Sequence, residues 1–376
     1  MTSALLDVFS APIREDLRRR SLAEQVATLQ ENRLIAAALD DAVRSGRNLE
    51  PMEQAFWDVL VTAQAPAIEC DNQLLARLLS ALAARGCSAL LLKGAALGRW
   101  LYARPELRPV TDVDLLVAPH ERLVAHQVMV DLGLESDGYS QHDLVGNQAR
   151  YRDRASGREV DLHWALHVLP ELACRFDFTE LMARSIALSG IPGCRALGRV
   201  DALMHAVVHY EAHQPVSDRP LVWLYDLALL ARGMTAKDWS ELDSMVRSKH
   251  VAGLHAHALT DASRWFDLEL PARRMSDWQA LGRHECTRNL IDASRGHVAR
   301  VLRSLACLPS LGQRLAYLRV CLFPPHAWIR GRYAVHGMAG TLAAYLTRWF
   351  SGAHELLART QVAGAEPRSA RSVRDS

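Results

Sequence analysis

The sequence predicts an α+β protein: a small sheet with helices around it, continued by a helical C-terminal region. Three observations predict it. Two short apolar runs, Cys87–Leu92 and Val110–Val117, have the length and composition of buried strands. Gln148–Asp153 and Arg158–His163 flank Ala155-Ser156-Gly157, which is a hairpin signal. From about residue 178 the apolar residues recur at helical spacing almost to the end.

Taken in order, residues 4–63 read as helical, with Leu22, Val26, Leu29 and Leu34 in rough helical phase and a break at Pro51. Leu74–Ala84 is an amphipathic helix stopped at Gly86. After the strand Cys87–Leu92, a helix is expected over Gly94–Tyr102, then the strand Val110–Val117, then a helix from Pro119 to Leu132 closed by Gly133. Beyond the hairpin, helices are expected over 178–188, 199–213, 221–232, 238–247, 251–266, 275–305, 312–321 and 338–357. The tail after Ala363 is polar and rich in Arg and Ser, a composition of disorder. These patterns divide the chain into an N-terminal helical segment (1–66), a core (67–177), a helical domain (178–357) and a tail (358–376).

At 376 residues the chain is long enough to bury a substantial core. The net charge of +2 gives no whole-molecule argument for a polyanion partner. Only three lysines occur, Lys93, Lys237 and Lys249, so the lysine at 93 stands out among arginines. No run approaches the roughly 18 apolar residues of a bilayer span, so no membrane partner is expected. The first residues lack a signal-peptide layout. The seven cysteines are scattered without a Cys-X-X-Cys pair. A reduced, cytoplasmic protein is the plain expectation.

The chemistry concentrates in three blocks. Carboxylates are poor strand formers, yet Asp112 and Asp114 stand two apart in Val110-Thr111-Asp112-Val113-Asp114-Leu115-Leu116-Val117. Side chains alternate along a strand, so both acids share one face while Val113, Leu115 and Val117 share the other. Two carboxylates so placed repel unless a cation lies between them, and a hard cation such as Mg2+ takes such oxygen ligands. Upstream stands Leu92-Lys93-Gly94, and downstream Asp161-Leu162-His163-Trp164.

The order Leu92-Lys93-Gly94, Tyr102, Arg108, Asp112, Asp114 and Asp161-Leu162-His163-Trp164 resembles the uncharacterised bacterial nucleotidyltransferases of the DNA polymerase beta superfamily. Trp223-Leu224-Tyr225-Asp226-Leu227 and Leu322-Phe323-Pro324 also look like that family, and the resemblance covers about residues 70 to 350. Many superfamily members carry Gly-Ser or Gly-Gly where this chain has Lys93-Gly94. The resemblance implies a polymerase-beta-like core, a small mixed sheet with flanking helices, plus a helical C-terminal region. It implies transfer of a nucleoside monophosphate from an NTP to an acceptor hydroxyl, with Mg2+ or Mn2+ held by Asp112, Asp114 and Asp161. The acceptor class stays open among a small molecule, a peptide natural product, a sugar and a protein.

Nucleotide contacts are expected from Lys93, Gly94, Arg108, Thr111 and His163. A helix opening at Gly94 would offer backbone N–H groups to a phosphate, and Lys93 would supply a point charge. For Lys93 the alternative is an ordinary exposed lysine, for Arg108 an ion pair, and for His163 packing beside Trp164. His205, His209 and His213 line one helix face; His209 is a cleft-lining candidate. Asp226, an acid in an apolar helix, must either face the cleft or pair with an arginine. Two further functions remain: a toxin-like enzyme modifying RNA, and a nucleotide-binding regulator without turnover. Nucleic acid is not expected as a partner, since Arg150, Arg152, Arg154 and Arg158 read as a solvated hairpin face and no basic stripe with interleaved aromatics is present.

Overall fold

The computed structural model describes residues 6–21, 24, 34–136, 147–167, 169–213, 221–290, 297–308, 310–324 and 326–363. Leu22, Val26 and Leu29, which carried part of the N-terminal helical expectation, lie outside these residues, as does the tail 364–376. The described residues divide into two compact units, the larger within 6–290 and the smaller within 297–363.

The larger unit is built on a seven-stranded mixed sheet in the order β3-β4-β5-β2-β1-β7-β6. Its strands are β1 (Ala89–Leu91), β2 (Asp112–Val117), β3 (Leu134–Ser136), β4 (Gln148–Asp153), β5 (Glu159–His163), β6 (Ile186–Ala187) and β7 (Arg195–Ala196). β2 lies antiparallel to β1 and parallel to β5. The alternation in β2 sorts its residues between two cores. Val113, Leu115 and Val117 turn to one, with Val160 and Leu162 of β5. That core is closed by Leu74, Leu75 and Leu78 of α3 (Pro51–Ala84) and by Val128 and Met129 of α5 (Arg122–Asp131). Leu116 turns to the other core, with Leu203 and Val207 of α8 (Arg199–Ala212) and Leu227 and Leu230 of α9 (Val222–Arg232). Asp112 and Asp114 share the face of Leu116, so the acids look toward α8 and α9.

The N-terminal helices are α1 (Ala11–Arg18), α2 (Leu34–Arg44) and α3. Glu50 and Glu53 form a capping box at the start of α3, with Pro51 in its first turn. The helix then continues through Pro66 to Ala84 as one element, absorbing the expected 74–84 helix, and the chain turns at Gly86 with φ 75. α4 (Lys93–Trp100) follows β1 directly. After the sheet come α6 (Pro170–Ala173), α7 (Phe178–Ala183), α8, α9, α10 (Ala236–Ser248), α11 (Ala252–Phe266) and α12 (Ala272–Gly282). The smaller unit holds α13 (His297–Cys307), α14 (Leu311–Leu322), α15 (His326–Tyr333) and α16 (Gly337–Ala363).

Two expected helices are corrected. Residues 178–188 stop as helix at Ala183, and Ile186–Ala187 pairs with Arg195–Ala196 as a hairpin. Ser189-Gly190-Ile191-Pro192-Gly193 makes its turn, with Gly190 and Gly193 at φ 86 and 73, a conformation open to glycine. Residues 275–305 are not one helix. α12 ends at Gly282, a short 3-10 turn covers Cys286–Leu290, and α13 begins at His297. Gly253 and Gly282 meet where α11 crosses α12, so close that a Cβ on Gly282 would lie 2.3 Å from the Gly253 Cα.

His255 of α11 is fully buried against Trp278, and its Nδ1 donates to the Val251 carbonyl at 2.8 Å. Burial pushes its imidazole down to about 4, although the Val251 bond works the other way. In the unfolded chain it titrates near 6.5. The unfolded chain therefore takes up a proton that the folded chain refuses. Stability from this residue is complete above pH 6.5 and is lost as pH falls toward 4, by about 3 kcal/mol at that pH. Urea unfolding as a function of pH checks this: His255→Leu should flatten the slope between pH 6.5 and 4.

Candidate active site

The site begins with a register. In the parallel pair, Asp112 lies opposite Glu159 and Asp114 opposite Asp161. Facing residues of neighbouring strands point to the same side, so two buried carboxylates stand together, Asp114 at 2% exposure and Asp161 at 4%. His163, two residues beyond Asp161, shares this face, and its Nε2 lies 2.9 Å from Asp114 Oδ1. Asp112 is less buried, at the start of β2, where Thr111 donates to it at 3.0 Å.

The β1–β2 ladder runs one step past the strand, with Leu92 N–H donating to the Asp114 carbonyl at 2.9 Å. The next residue, Lys93, takes a left-handed backbone at φ 50 and starts α4. That turn swings its ammonium back over the acids, and Nζ meets Asp114 Oδ1 at 2.5 Å. A left-handed conformation in a side chain of this size is costly, and such strain is found where surrounding structure enforces it. Here the ladder on one side and Gly94 on the other enforce it. A Cβ on Gly94 would lie 2.6 Å from Val110 Cγ1 and 3.1 Å from Arg108 Nη1, so only glycine fits.

The carboxylates differ. Burial works to raise Asp114, but the His163 bond and the charge of Lys93 overcome it and hold the group at about 2. Asp161 is pushed up, first by burial and then by Asp114 beside it, with Arg150 opposing. Arg150 Nε reaches Asp161 Oδ1 at 3.3 Å from β4. Three acids thus face two cations, Lys93 and Arg150, and the site retains an excess of negative charge.

Among the described residues, Asp114, Asp161 and His163 are the group of side chains whose donor atoms all lie within 4.8 Å of one another. With Asp112 on the same face, this donor set is mostly carboxylate oxygen, which fits a hard divalent cation. The three histidines of α8 do not make such a group. His205 and His209 line the cavity with neutral rings: burial pushes His205 down to about 3 and His209 well below its usual value. His213 is exposed and stacks on His209 and Trp223.

A cavity of about 250 Å3 opens over the acids. Lys93, Gly94, Arg108, Thr111, Asp112 and Asp114 line one side, and His205, His209, Trp223 and Asp226 the other. The structure therefore brings together the residues singled out from the sequence, with Asp161 and His163 just beneath. Arg108 and Asp226 are bound to each other. Arg108 donates from Nε and Nη2 to the Asp226 carboxylate at 3.0 and 2.8 Å, and Tyr102 Oη donates to Asp226 Oδ1 at 2.7 Å. All three are buried. Burial works to lower the guanidinium's pKa, yet Asp226 outweighs it and keeps the group firmly charged. The pair satisfies the partner that an acid in an apolar helix requires, and it fastens α9 to the loop entering β2.

Sequence reasoning missed three participants. Asp40 is fully buried, accepting from Tyr225 Oη at 3.0 Å, Ala103 N–H at 2.7 Å and Arg44 Nε at 2.6 Å. Asp71 takes both Nε and Nη2 of Arg158, at 2.6 and 2.8 Å, tying α3 to the hairpin. His205 shares the helix face of His209, which alone of the three histidines is named from the sequence as cleft-lining, and it lines the cavity too. The signal for Asp40 is the one that marks Asp226, an acid beside apolar helical residues, whereas Asp71 stands in the polar run Glu69-Cys70-Asp71-Asn72-Gln73, which carries no such signal.

A family model described as an uncharacterised nucleotidyltransferase matches residues 12–267. The chain belongs to this family. Its members are described as nucleotidyltransferases, so the chain is a transferase of nucleotidyl groups. No curated protein matches the sequence. Among solved structures, the chain is similar to the antibiotic-resistance factor ANT(2'')-Ia, with 17% identity over 50% of this chain and 97% of that one and a TM-score of 0.37. It is also similar to an antigenic nucleotidyltransferase-like protein from Paracoccidioides brasiliensis, with 14% identity over 50% of this chain and 92% of that one and a TM-score of 0.29.

The buried triad makes a direct stability prediction. Asp226→Ala leaves Arg108 charged and unpaired, which should cost about 3–5 kcal/mol. Tyr102→Phe removes one hydrogen bond to a charged acceptor and should cost about 1.5–3 kcal/mol. Urea denaturation of both variants measures the two losses.

Proposed function

We propose that this nucleotidyltransferase moves an NMP from an NTP to an acceptor hydroxyl in a divalent-cation-dependent reaction. The acceptor oxygen forms a bond to the α-phosphorus, the bond from that phosphorus to the bridging oxygen of the β-phosphate breaks, and pyrophosphate leaves. The observation that carries the reading is the register that sets Asp114 beside Asp161, with Asp112 on the same face and the Lys93-Gly94 turn at their edge.

Asp112, Asp114 and Asp161 would hold the ion, magnesium or manganese, which when bound supplies charge neutralisation for the triphosphate and polarises the attacking oxygen. His163 orients Asp114 through Nε2. Asp161, pushed up by burial and by Asp114 beside it, would assist deprotonation of the acceptor hydroxyl. Lys93 supplies a charge and the backbone at Gly94 supplies N–H donors for phosphate oxygens. Arg108, engaged by Asp226 and lying against Gly94 in the cavity wall, would shape the phosphate turn rather than donate to the nucleotide. Thr111 steadies Asp112. The neutral rings of His205 and His209, with Trp223 edge-on to His209 at 4.5 Å between centroids, line the cavity with aromatic surface against which a base would pack.

The hairpin arginines weigh against an RNA acceptor. Arg150 is turned to Asp161, Arg158 to Asp71 and Arg154 to Glu135. The presence of all three acids, Asp112, Asp114 and Asp161, on one face weighs against a chain that binds nucleotide without turnover.

Two measurements test the reading. Asp112→Asn and Asp114→Asn should each lower turnover by at least about a hundredfold, the scale for losing one charged transition-state contact, while circular dichroism stays unchanged. Wild-type turnover in both variants would sink the metal assignment. Lys93→Met keeps the aliphatic stem and removes the charge. Calorimetry should show NTP affinity falling by about ten- to a hundredfold, since a hydrogen bond to a charged group is worth roughly 1.5–3 kcal/mol. Unchanged affinity with a lower melting temperature would make Lys93 a structural partner of Asp114 alone.

A further inference from the structure

The net charge of +2 conceals a division. Residues 1–293 carry 32 basic and 39 acidic side chains, whereas residues 294–376 carry twelve arginines and three acids. Between Ser294 and His354 there are eight arginines and no acid at all. A solvated helical surface normally mixes both signs, so a stretch of this length with one sign calls for an anionic partner.

The same unit exposes apolar stripes at helical spacing. On α14, Leu311 and Leu315 are 71% and 59% exposed, and Leu322 continues the stripe. On α16, Met338, Leu342 and Phe350 are 86%, 59% and 73% exposed, at intervals that keep one face. The stripes join where Phe323 meets Trp349, with ring centroids 5.4 Å apart, and where the Trp349 indole N–H donates to the Leu322 carbonyl at 2.7 Å. Arg314, Arg319, Arg330 and Arg332 are exposed on the same unit. No helix of the described residues is long and apolar enough to cross a bilayer.

We infer that this C-terminal unit docks on the surface of an anionic lipid bilayer. Arginines meet the phosphate headgroups while Leu, Met, Phe and Trp enter the boundary between headgroups and chains. That pairing of one-signed charge with large exposed apolar side chains and an interfacial tryptophan fits a lipid surface. It fits a nucleic acid poorly, because a phosphate backbone gives the leucines nothing to bury against. It also fits self-association of this face poorly, because two such units repel.

The test uses the full chain and sedimentation with vesicles of phosphatidylcholine alone or with 30% phosphatidylserine. Binding should be strong on the anionic vesicles, at least about tenfold weaker on the neutral ones, and reduced by high salt. Arg314→Glu with Arg319→Glu should weaken binding to anionic vesicles, and Leu342→Ser with Phe350→Ser should weaken it at low salt as well. All four residues are exposed, so the fold should survive, and nucleotidyl transfer in solution should be unchanged. Failure to bind anionic vesicles overturns the inference, and so does binding to single-stranded RNA in its place. Equal binding to neutral and anionic vesicles would remove the charge argument and overturn it in this form.

Discussion

Two carboxylates held side by side in a buried sheet are the constraint around which the larger unit is arranged. The parallel pairing of β2 with β5 puts Asp114 against Asp161, and neither can leave. Repulsion between them is relieved by Lys93, His163 and Arg150, which arrive from a turn, the same strand and the next strand. Each relief costs something elsewhere. Lys93 must adopt a left-handed backbone, Gly94 must stay without a Cβ, and β4 must present an arginine toward the sheet face. The cavity above the acids is then the volume left between this charged face and the neutral rings of α8 and α9.

A second layer of buried ions holds that cavity open. Asp226 with Arg108 joins α9 to the loop before β2, Asp40 with Tyr225 and the Ala103 N–H joins α2 to α9 and to the loop after α4, and Asp71 with Arg158 joins α3 to the hairpin. Such pairs add little net stability compared with apolar packing, but breaking one is expensive. Their effect is therefore geometric: α2, α3 and α9 are fixed in position relative to the strand that carries Asp112 and Asp114.

The sequence made the local part of this arrangement legible. Alternation in Val110–Val117 assigned the acids to one face and the valines to the other, and Ala155-Ser156-Gly157 marked the hairpin. What it did not carry was pairing at a distance. Nothing local says that β2 lies next to β5, yet that neighbour relation makes Asp161 part of the site. The apolar surroundings of Asp226 demanded a partner without naming Arg108, which stands 118 positions away. The hairpin at 186–196 is marked in the sequence by Gly190, Pro192 and Gly193, but the residues before it keep a helical phase up to 188 that masks the short strand. The average over the whole chain also hid the charge division, which appears only when the two units are counted apart.

The backbone at Lys93 has a bearing on how this protein could be engineered. Glycine at that position would relax the φ of 50. The substitution would also delete the cation beside Asp114. The buried Asp114 would keep His163 but lose the ammonium, a loss that opposes the relief of backbone strain. Two contributions to stability are thus set against each other at a single residue, and variants at this position need folding and turnover read together.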